Sequence, residues 1–187
     1  MAEGKFSKYV IEMTPDKREK WGKFPSHVGK IINGLAFGKR EFEESKTWLH
    51  VGLVYAPGAG YGAGQTREDT LPDGKKVIAR AMPHAHPGDE IFLFIGTDPQ
   101  NPYELGGEVE FWLGEGEEAE KFTITRTTVV YVPAYVMHCP HWFPKVDRPF
   151  VVVVINTLAE TGGPGISDVR MGEFPPEYLK GPMASTL

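Results

Sequence analysis

The chain of 187 residues is long enough for one sizeable hydrophobic core and short for two, so we expect a single domain. Its formal net charge of -5 argues against a nucleic-acid partner, because binding to a phosphate backbone depends on clustered lysine and arginine. The single cysteine, Cys139, excludes an internal disulfide and a zinc site built from several thiolates.

The apolar segments of the chain are all short. The N-terminus lacks the apolar stretch of a signal peptide. The longest apolar run, Phe150 to Ile155, is far below the roughly 18 residues of a membrane-spanning helix. We therefore expect a cytoplasmic protein without a membrane partner.

The predicted elements begin with one helix near the N-terminus, which Thr14 would cap, with Pro15 at its first position and its end near Lys23. From there the chain reads as short strands, rich in β-branched and aromatic residues and separated by glycine, proline and Asp-Gly. These predicted strands are TWLHVGLVYA (47–56), KKVIARAM (75–82), EIFLFIG (90–96), GEVEFWLG (107–114), EKFTITR (120–126), TVVYVP (128–133) and FVVVVINTL (150–158). Since no helical pattern separates them, we predict an all-β fold, an antiparallel sandwich or barrel.

Two long irregular segments, 57–74 and 97–107, interrupt the predicted strands, and loops of this length are often lids or binding loops. Residues 1–46 would form an N-terminal extension and residues 47–160 the β-barrel. The glycine- and proline-rich residues 161–187 would form an irregular tail. We therefore expect one barrel with an extension at each end.

Two histidines stand two residues apart at the end of a predicted strand. Side chains at this spacing point to one face of a strand, so His84 and His86 would offer a metal two nitrogen ligands. Glu90 follows a Pro-Gly turn and begins the next strand, which would return its carboxylate to the same face. His138 follows the strand that ends at Pro133, and the loop between them can bring a third imidazole to the site. These four residues are the candidate metal ligands.

Two of the four ligands have a neighbour that could replace them. Asp89 offers an alternative carboxylate to Glu90, and His141 competes with His138. Three neutral imidazoles and one carboxylate would leave a divalent ion with one net positive charge. An octahedral ion would keep two positions open for water or a chelating substrate. Nitrogen and oxygen ligands without thiolate favour Fe, Mn, Ni, Co or Zn.

The spacing of these residues is similar to the two motifs of the cupin superfamily. The first motif, G-x5-H-x-H-x3/4-E-x6-G, is matched by His84, His86 and Glu90. Gly96 stands one position early for its last glycine, and Ile78 takes the place of its first.

The second cupin motif, G-x5-P-x-G-x2-H-x3-N, is matched by Pro133 and His138. Thr127 and Tyr135 stand in place of its glycines, and Trp142 stands in place of its asparagine. All four ligand positions of the two motifs are therefore kept, while the glycines that shape the turns are mostly replaced.

The resemblance to cupins spans about residues 75–158 and implies a small double-stranded β-helix, or jelly roll, with the metal inside. It also implies a homodimer in which an N-terminal strand joins the partner's sheet. A narrower likeness to the cupin-type phosphoglucose isomerases rests on TTVVYVPAYVMH, on the NTLAETGGPG segment and on similar chain length. The segment HAHPGDE is shorter than the histidine-to-glutamate spacing of that family.

Three further residues are candidates for proton transfer. Glu110 shares a strand face with Trp112, and Tyr131 lies on another predicted strand. Either residue could act as an acid or base if it faces the metal, and either could equally be an outward strand residue. His141 is a core or pocket-lining histidine in one interpretation and a catalytic proton-transfer group in the other.

Two residues are candidates for binding substrate. Arg80 has the strand parity of His84 and His86, so it could reach an anionic group of the substrate if that face points inward. Trp142 is the second candidate, although most aromatic residues in or beside the barrel strands are expected to be core.

The ligand set supports three hypotheses of function. The first is a metal-dependent cupin enzyme that chelates a small oxygen-rich metabolite, such as a hydroxy or oxo acid or a sugar-like molecule, for the Lewis-acid chemistry of isomerases, lyases and decarboxylases. The second is an Fe(II) dioxygenase with the same ligands. The third is a cupin that binds a small molecule without converting it.

Overall fold

The structure is a computed structural model, and the helices within its described residues are single 3-10 turns. They lie at Ser7–Tyr9, Gly116–Glu118 and Tyr178–Lys180, and none of the helices within the described residues has the length and apolar content of a membrane span. The described residues are 7–11, 14–15, 31–57, 59–61, 66–70, 74, 76–80, 83–158, 169–180 and 184–186.

The strands form two large antiparallel sheets and one small one. In chain order the described strands are β1 (Thr14–Pro15), β2 (Ile31–Phe37), β3 (Trp48–Val54), β4 (Ala59–Tyr61), β5 (Thr66–Thr70), β6 (Lys76–Arg80), β7 (His84–Ala85), β8 (Glu90–Gly96), β9 (Glu104–Leu113), β10 (Glu120–Arg126), β11 (Thr128–Val132), β12 (His138–Val146), β13 (Phe150–Asn156), β14 (Arg170–Met171) and β15 (Ala184–Thr186). The first sheet has the order β1-β2-β3-β13-β8-β11. The second has the order β10-β9-β12-β7-β14, with β4 beside β12, and the small sheet has the order β15-β6-β5.

The predicted all-β, antiparallel fold is confirmed, and the predicted closed barrel is not. Along the described part of the chain, no strand pairing joins the two large sheets into one closed sheet. The two sheets instead share one apolar interior. Its buried residues come from β3, β8, β11 and β13 of the first sheet and from β9, β10 and β12 of the second, and they include Phe92, Phe94, Phe111, Phe143 and Phe150.

The first sheet is apolar on its outer face as well as on its inner face. One outer row runs across four strands as Val51, Val153, Leu93 and Val129, which are directly opposite one another in register. An antiparallel sheet with one solvated face usually carries polar residues there. Apolar residues on both faces explain why β13 reads in the sequence as the continuous run FVVVVI.

The C-terminal segment covers part of the outer face of the second sheet. Trp112 of β9 and Trp142 of β12 form a buried cluster with Phe174, Tyr178 and Leu179. This packing places aromatic residues of β9 and β12 on the side of the sheet that faces away from the shared interior.

Several strands lie in segments that were not expected to form strands. β2 lies inside the segment expected to be an extension and pairs with β3. β12 contains Pro140 and Pro144, and prolines within a segment argue against a strand when only the sequence is considered. β4 and β5 likewise lie within the expected loop 57–74.

The predicted N-terminal helix is wrong at its first two residues. Thr14 and Pro15 form β1, which pairs with Ala36 and Leu35 of β2. The remainder of that helix, residues 16–23, lies outside the described residues.

The turn from β11 to β12 holds a tyrosine in a conformation that glycine adopts more easily. Tyr135 has a φ of 64°, and this left-handed region costs a residue with a Cβ about 1–2 kcal/mol. Two backbone hydrogen bonds hold the turn: the Tyr135 N–H donates to the carbonyl of His86 over 2.8 Å, and the Val136 N–H donates to that of Pro133 over 3.1 Å. The position at which the second motif has a glycine therefore has a backbone conformation that glycine adopts most easily.

We expect the Tyr135→Gly variant to be more stable than the wild type. The Tyr135 ring is 71% exposed, so its removal loses little packing. Relief of the left-handed strain outweighs the added freedom of the unfolded chain, and the free energy of unfolding rises by about 0.5–1 kcal/mol. Urea denaturation followed by tryptophan fluorescence measures this difference.

Tyr103→Gly is the matched control for this variant. Tyr103 is 74% exposed and does not have a positive φ, so glycine there only adds freedom to the unfolded chain. Its free energy of unfolding should fall by about 0.5–1 kcal/mol. Equal destabilisation of the two variants would contradict the strain at Tyr135.

Candidate metal centre

His84 and His138 meet because their strands pair directly. They are opposite each other in the antiparallel ladder between β7 and β12. Their ring centroids are 4.5 Å apart, and the ring of His86 lies 5.0 Å from that of His138. Strand pairing, which is rigid, therefore brings together histidines that are far apart in the sequence.

Glu90 reaches the same point through the turn between β7 and β8. Gly88 in this turn has a φ of 91°, and a Cβ on it would lie 2.5 Å from the Cβ of Leu158, so only glycine fits. After the turn the Glu90 carboxylate points inward. Its Oε2 atom lies 3.0 Å from Nε2 of His86 and 2.8 Å from Nε2 of His138.

The other ring nitrogens of two histidines face backbone carbonyls. Nδ1–H of His138 donates to the carbonyl of Val136 over 2.9 Å, and Nδ1–H of His86 donates to that of Pro87 over 3.3 Å. In a neutral imidazole of this tautomer, Nε2 carries a lone pair. Both Nε2 lone pairs then point at the acceptor-only oxygen of Glu90, and this arrangement requires a positive charge between them.

The electrostatics of the cluster favour an ionised carboxylate. Burial opposes ionisation of Glu90, but hydrogen bonds with His138 and His86 hold the pKa of its carboxyl well below its usual range. Burial by itself lowers the pKa of His86, and the hydrogen bond and charge of Glu90 raise it above the usual value. The site thus holds a negative charge that attracts a proton or a metal cation.

The four side chains fit a divalent metal ion. One ligand atom from each of His84, His86, Glu90 and His138 lies within 4.8 Å of the others. Two ligands on opposite sides of one ion are about 4.2 Å apart when each bond is about 2.1 Å long, so small side-chain movements suffice. Carbonyls that orient metal-binding imidazoles through Nδ1 are also a usual feature of metal sites.

The cluster is more open on one side than on the other. His84 and Glu90 are each 8% exposed, whereas His138 is 1% exposed. A molecule that binds the metal would therefore approach past His84 and Glu90. Phe92 lies on the buried side, with its ring 6.1 Å from that of His138.

Asp89 and Tyr131 lie outside the cluster. The carboxylate of Asp89 accepts a hydrogen bond from the backbone N–H of Ala134 over 3.0 Å. The hydrogen bond with Tyr131 is the main cause that lowers the pKa of Asp89, and it raises the pKa of Tyr131. Tyr131 is 54% exposed on the outer face of β11. Asp89 therefore holds the loop while Glu90 faces the histidines, and Tyr131 is not brought to the cluster.

Glu110 and Trp142 also lie away from the cluster. They are opposite each other in register between β9 and β12. Trp142 belongs to the buried cluster under the C-terminal segment, on the outer face of the second sheet. A hydrogen bond with Glu177 is the main cause that raises the pKa of Lys121, and the charge of Glu110 adds to it. Glu110 and Trp112 do lie on the same face of β9, as predicted, but that face points away from the interior.

His141 lies in the interior, beyond Phe92 as seen from the metal ligands. Its ring stacks on Phe111 at 5.6 Å and lies 5.4 Å from the ring of Phe92. Cys139 is 3.8 Å from His141, and burial, together with the charge of Glu90, raises the pKa of its thiol. These contacts favour the interpretation of His141 as a core residue, and Cys139 is buried beside it.

Arg80 is the last residue of β6, in the small sheet, where it pairs with Thr66. His84 begins β7, in the second large sheet, so the two residues belong to different sheets. The position of the Arg80 side chain lies outside what the structure describes, and its role in binding substrate stays a prediction.

Asn156 is a buried polar residue near the cluster that the sequence-based search missed. It is the last residue of β13, and it lies opposite Glu90 in register. The available signal was its parity, since it ends the inward-facing series Phe150, Val152 and Val154.

No family model and no curated protein matches the chain. Among solved structures it is similar to a cupin-like protein from Thermotoga maritima, with 16% identity over 85% of this chain and 90% of that chain and a TM-score of 0.41. It is also similar to an oxalate oxidase in complex with the substrate analogue glycolate, with 10% identity over 83% of this chain and 61% of that chain and a TM-score of 0.42. A structure of DMSP lyases has 19% identity over 68% of this chain and 44% of that chain, with a TM-score of 0.32.

The chain spans less than two thirds of the oxidase and lyase chains. The four residues that the two motifs predicted as ligands lie together in one buried cluster. The chain therefore resembles the metal-binding cupins in its ligand set and in its antiparallel sheets.

Proposed function

We propose that this protein is a metal-dependent cupin enzyme that acts on a small, oxygen-rich, anionic metabolite. One observation carries the proposal: the imidazoles of His86 and His138 converge on a single oxygen of the buried Glu90, with His84 beside them. We further propose that the chain is a single domain and that its two large sheets are the halves of a cupin-like barrel. The predicted homodimer and cytoplasmic location stay predictions.

The charge of the ligand set favours an anionic metabolite. Three neutral imidazoles and one carboxylate leave a divalent ion with one net positive charge, which attracts a monoanion such as a hydroxy or oxo acid. Four protein ligands leave two positions of an octahedral ion for a chelating molecule. When bound, the ion supplies Lewis-acid polarisation of a carbonyl or hydroxyl oxygen, as in isomerases, lyases and decarboxylases.

The protein itself orients the ligands and excludes water. The carbonyls of Val136 and Pro87 hold the imidazoles of His138 and His86, so that their Nε2 atoms point to one place. Beneath them the ring of Phe92 and the interior behind it are apolar. Electrostatic attraction is stronger in such a water-poor site than in bulk water.

A second candidate function is an Fe(II) dioxygenase. The observation in its favour is the apolar, aromatic surface beside His138, because O₂ is a small apolar molecule that such a surface accommodates. Binding without conversion is the third hypothesis. The three functions differ in whether a product forms and in whether its formation requires oxygen.

We expect purified protein to bind one divalent ion per chain and the Glu90→Gln variant to bind it at least about 100-fold more weakly, since changes that only reorient ligands already cost 10–100-fold. Glutamine keeps the shape of the side chain and removes its charge. Asp89→Asn is the matched control, because the same change is made one residue earlier, on a carboxylate that faces away from the histidines. Elemental analysis and titration with Fe, Mn, Co, Ni and Zn measure the affinities.

Equal losses in Glu90→Gln and Asp89→Asn would contradict the proposed centre. So would a wild-type protein that binds none of the five ions. Near-ultraviolet circular dichroism establishes that both variants keep the native packing.

For the reaction, we expect turnover of a small hydroxy or oxo acid by the metal-loaded protein to continue without oxygen, because Lewis-acid chemistry consumes none. Product formation is followed by nuclear magnetic resonance in an anaerobic chamber, and O₂ uptake is followed in parallel with an electrode. Turnover that stops without oxygen and resumes with stoichiometric O₂ uptake would support the dioxygenase instead. Metabolite binding without product in either atmosphere would support the non-catalytic protein.

A further inference from the structure

Asn156 stands in a row of inward-facing residues at the metal end of the first sheet. It is directly opposite Glu90 of β8 on one side and Trp48 of β3 on the other. Side chains directly opposite each other in an antiparallel sheet have Cβ atoms about 5 Å apart. The amide of Asn156 therefore lies beside the carboxylate of Glu90 in the same interior, and the residue is 1% exposed.

The orientation of the Asn156 amide is determined by its surroundings. The backbone N–H of Leu158 donates to Oδ1 over 3.0 Å, so this atom is the oxygen and the other is the NH₂ group. Nδ2 is buried and has no hydrogen-bond partner among the residues that the structure describes. A buried donor without an acceptor costs free energy, and native proteins seldom keep one without a reason.

The neighbours in the same row do not supply the missing acceptor. Trp48 has only an indole N–H, which is a donor. The Oε2 atom of Glu90 already meets the imidazoles of His86 and His138, and neither oxygen of Glu90 accepts a hydrogen bond from Nδ2 of Asn156. The inward positions before Asn156 on β13 are apolar, at Val152 and Val154, so a valine here would continue the core without an unpaired amide.

We propose that Asn156 is a substrate-positioning residue whose NH₂ group donates a hydrogen bond to an oxygen of the molecule bound at the metal. The inference rests on the proposed function and narrows its substrate class. The molecule needs two oxygens for the metal and a further acceptor oxygen facing the first sheet. A 2-oxo or 2-hydroxy carboxylate meets this requirement, because chelation leaves the second carboxylate oxygen available to Nδ2.

The test measures ligand binding to the Co(II)-loaded protein by visible absorption. Pyruvate is the probe for the proposed contact, and azide is the probe for the metal alone. In Asn156→Leu, which is similar in size and has no donor, the dissociation constant of pyruvate should rise about tenfold, as expected for one lost hydrogen bond to a charged group. The dissociation constant of azide and the Co(II) stoichiometry should stay at their wild-type values.

Thr157→Val is the matched control at the same strand end. It removes the hydrogen bond that Asp89 N–H donates to Thr157 Oγ1 and leaves Asn156 in place. Its pyruvate affinity should equal that of the wild type. A second variant, Asn156→Asp, keeps the acceptor for Leu158 N–H and replaces the donor with a negative charge, so its loss of pyruvate affinity should exceed that of Asn156→Leu.

Unchanged pyruvate affinity in Asn156→Leu or Asn156→Asp, with Co(II) bound, would overturn the role of Asn156 and leave the metal centre standing. An equal loss in Thr157→Val would also overturn it, because the effect would then come from a disturbed strand end. A wild-type protein that binds no Co(II) would instead remove the proposed function on which the inference rests.

Discussion

The arrangement of this end of the molecule depends on the contact of the buried Glu90 carboxylate with the imidazoles of His86 and His138. One of its oxygens meets two imidazoles at 3.0 and 2.8 Å, in an interior that opposes charge. A lone carboxylate there would be protonated, since desolvation favours the neutral form. The converging histidines reverse that preference, and their own backbone hydrogen bonds leave Nε2 as the atom that faces the charge. A cation at this point satisfies all the groups at once.

Most of the ligand set was accessible from the sequence because local geometry determines it. Two histidines at i and i+2 share a face, and a Pro-Gly turn returns the next strand to it. The inward or outward direction of a face was harder to predict. Glu110 and Trp112 do share a face, but the C-terminal segment covers that face from outside, so aromatic residues occur on both sides of β9. The alternation of residues along a strand identifies the face that points to the core only where the opposite face is polar.

The turn before His138 holds a tyrosine at the position where the second motif has a glycine. Tyr135 adopts the left-handed conformation, and hydrogen bonds to His86 and within the turn compensate for the strain. A comparison with the motif counts such a substitution as a mismatch, because it compares residue types rather than backbone angles. The backbone angles of the turn influence the position of His138. The direct strand pairing of His138 with His84 also holds this position, and it does not involve the turn. The ligand geometry is therefore less sensitive to the missing glycines than the sequence comparison suggests.

The distribution of polar groups inside the described residues also constrains the chemistry. Glu90 and Asn156 lie at one end of the interior, and most of the other buried side chains, among them Phe94, Phe143 and Phe150, are apolar. Cys139 stays a thiol because burial raises its pKa, and His141 is packed among phenylalanines beyond Phe92. Neither residue is placed to exchange protons with a molecule bound on the open side of the cluster. The proposed Lewis-acid reactions agree with this distribution, because polarisation of the bound molecule needs no contribution from His141 or Cys139.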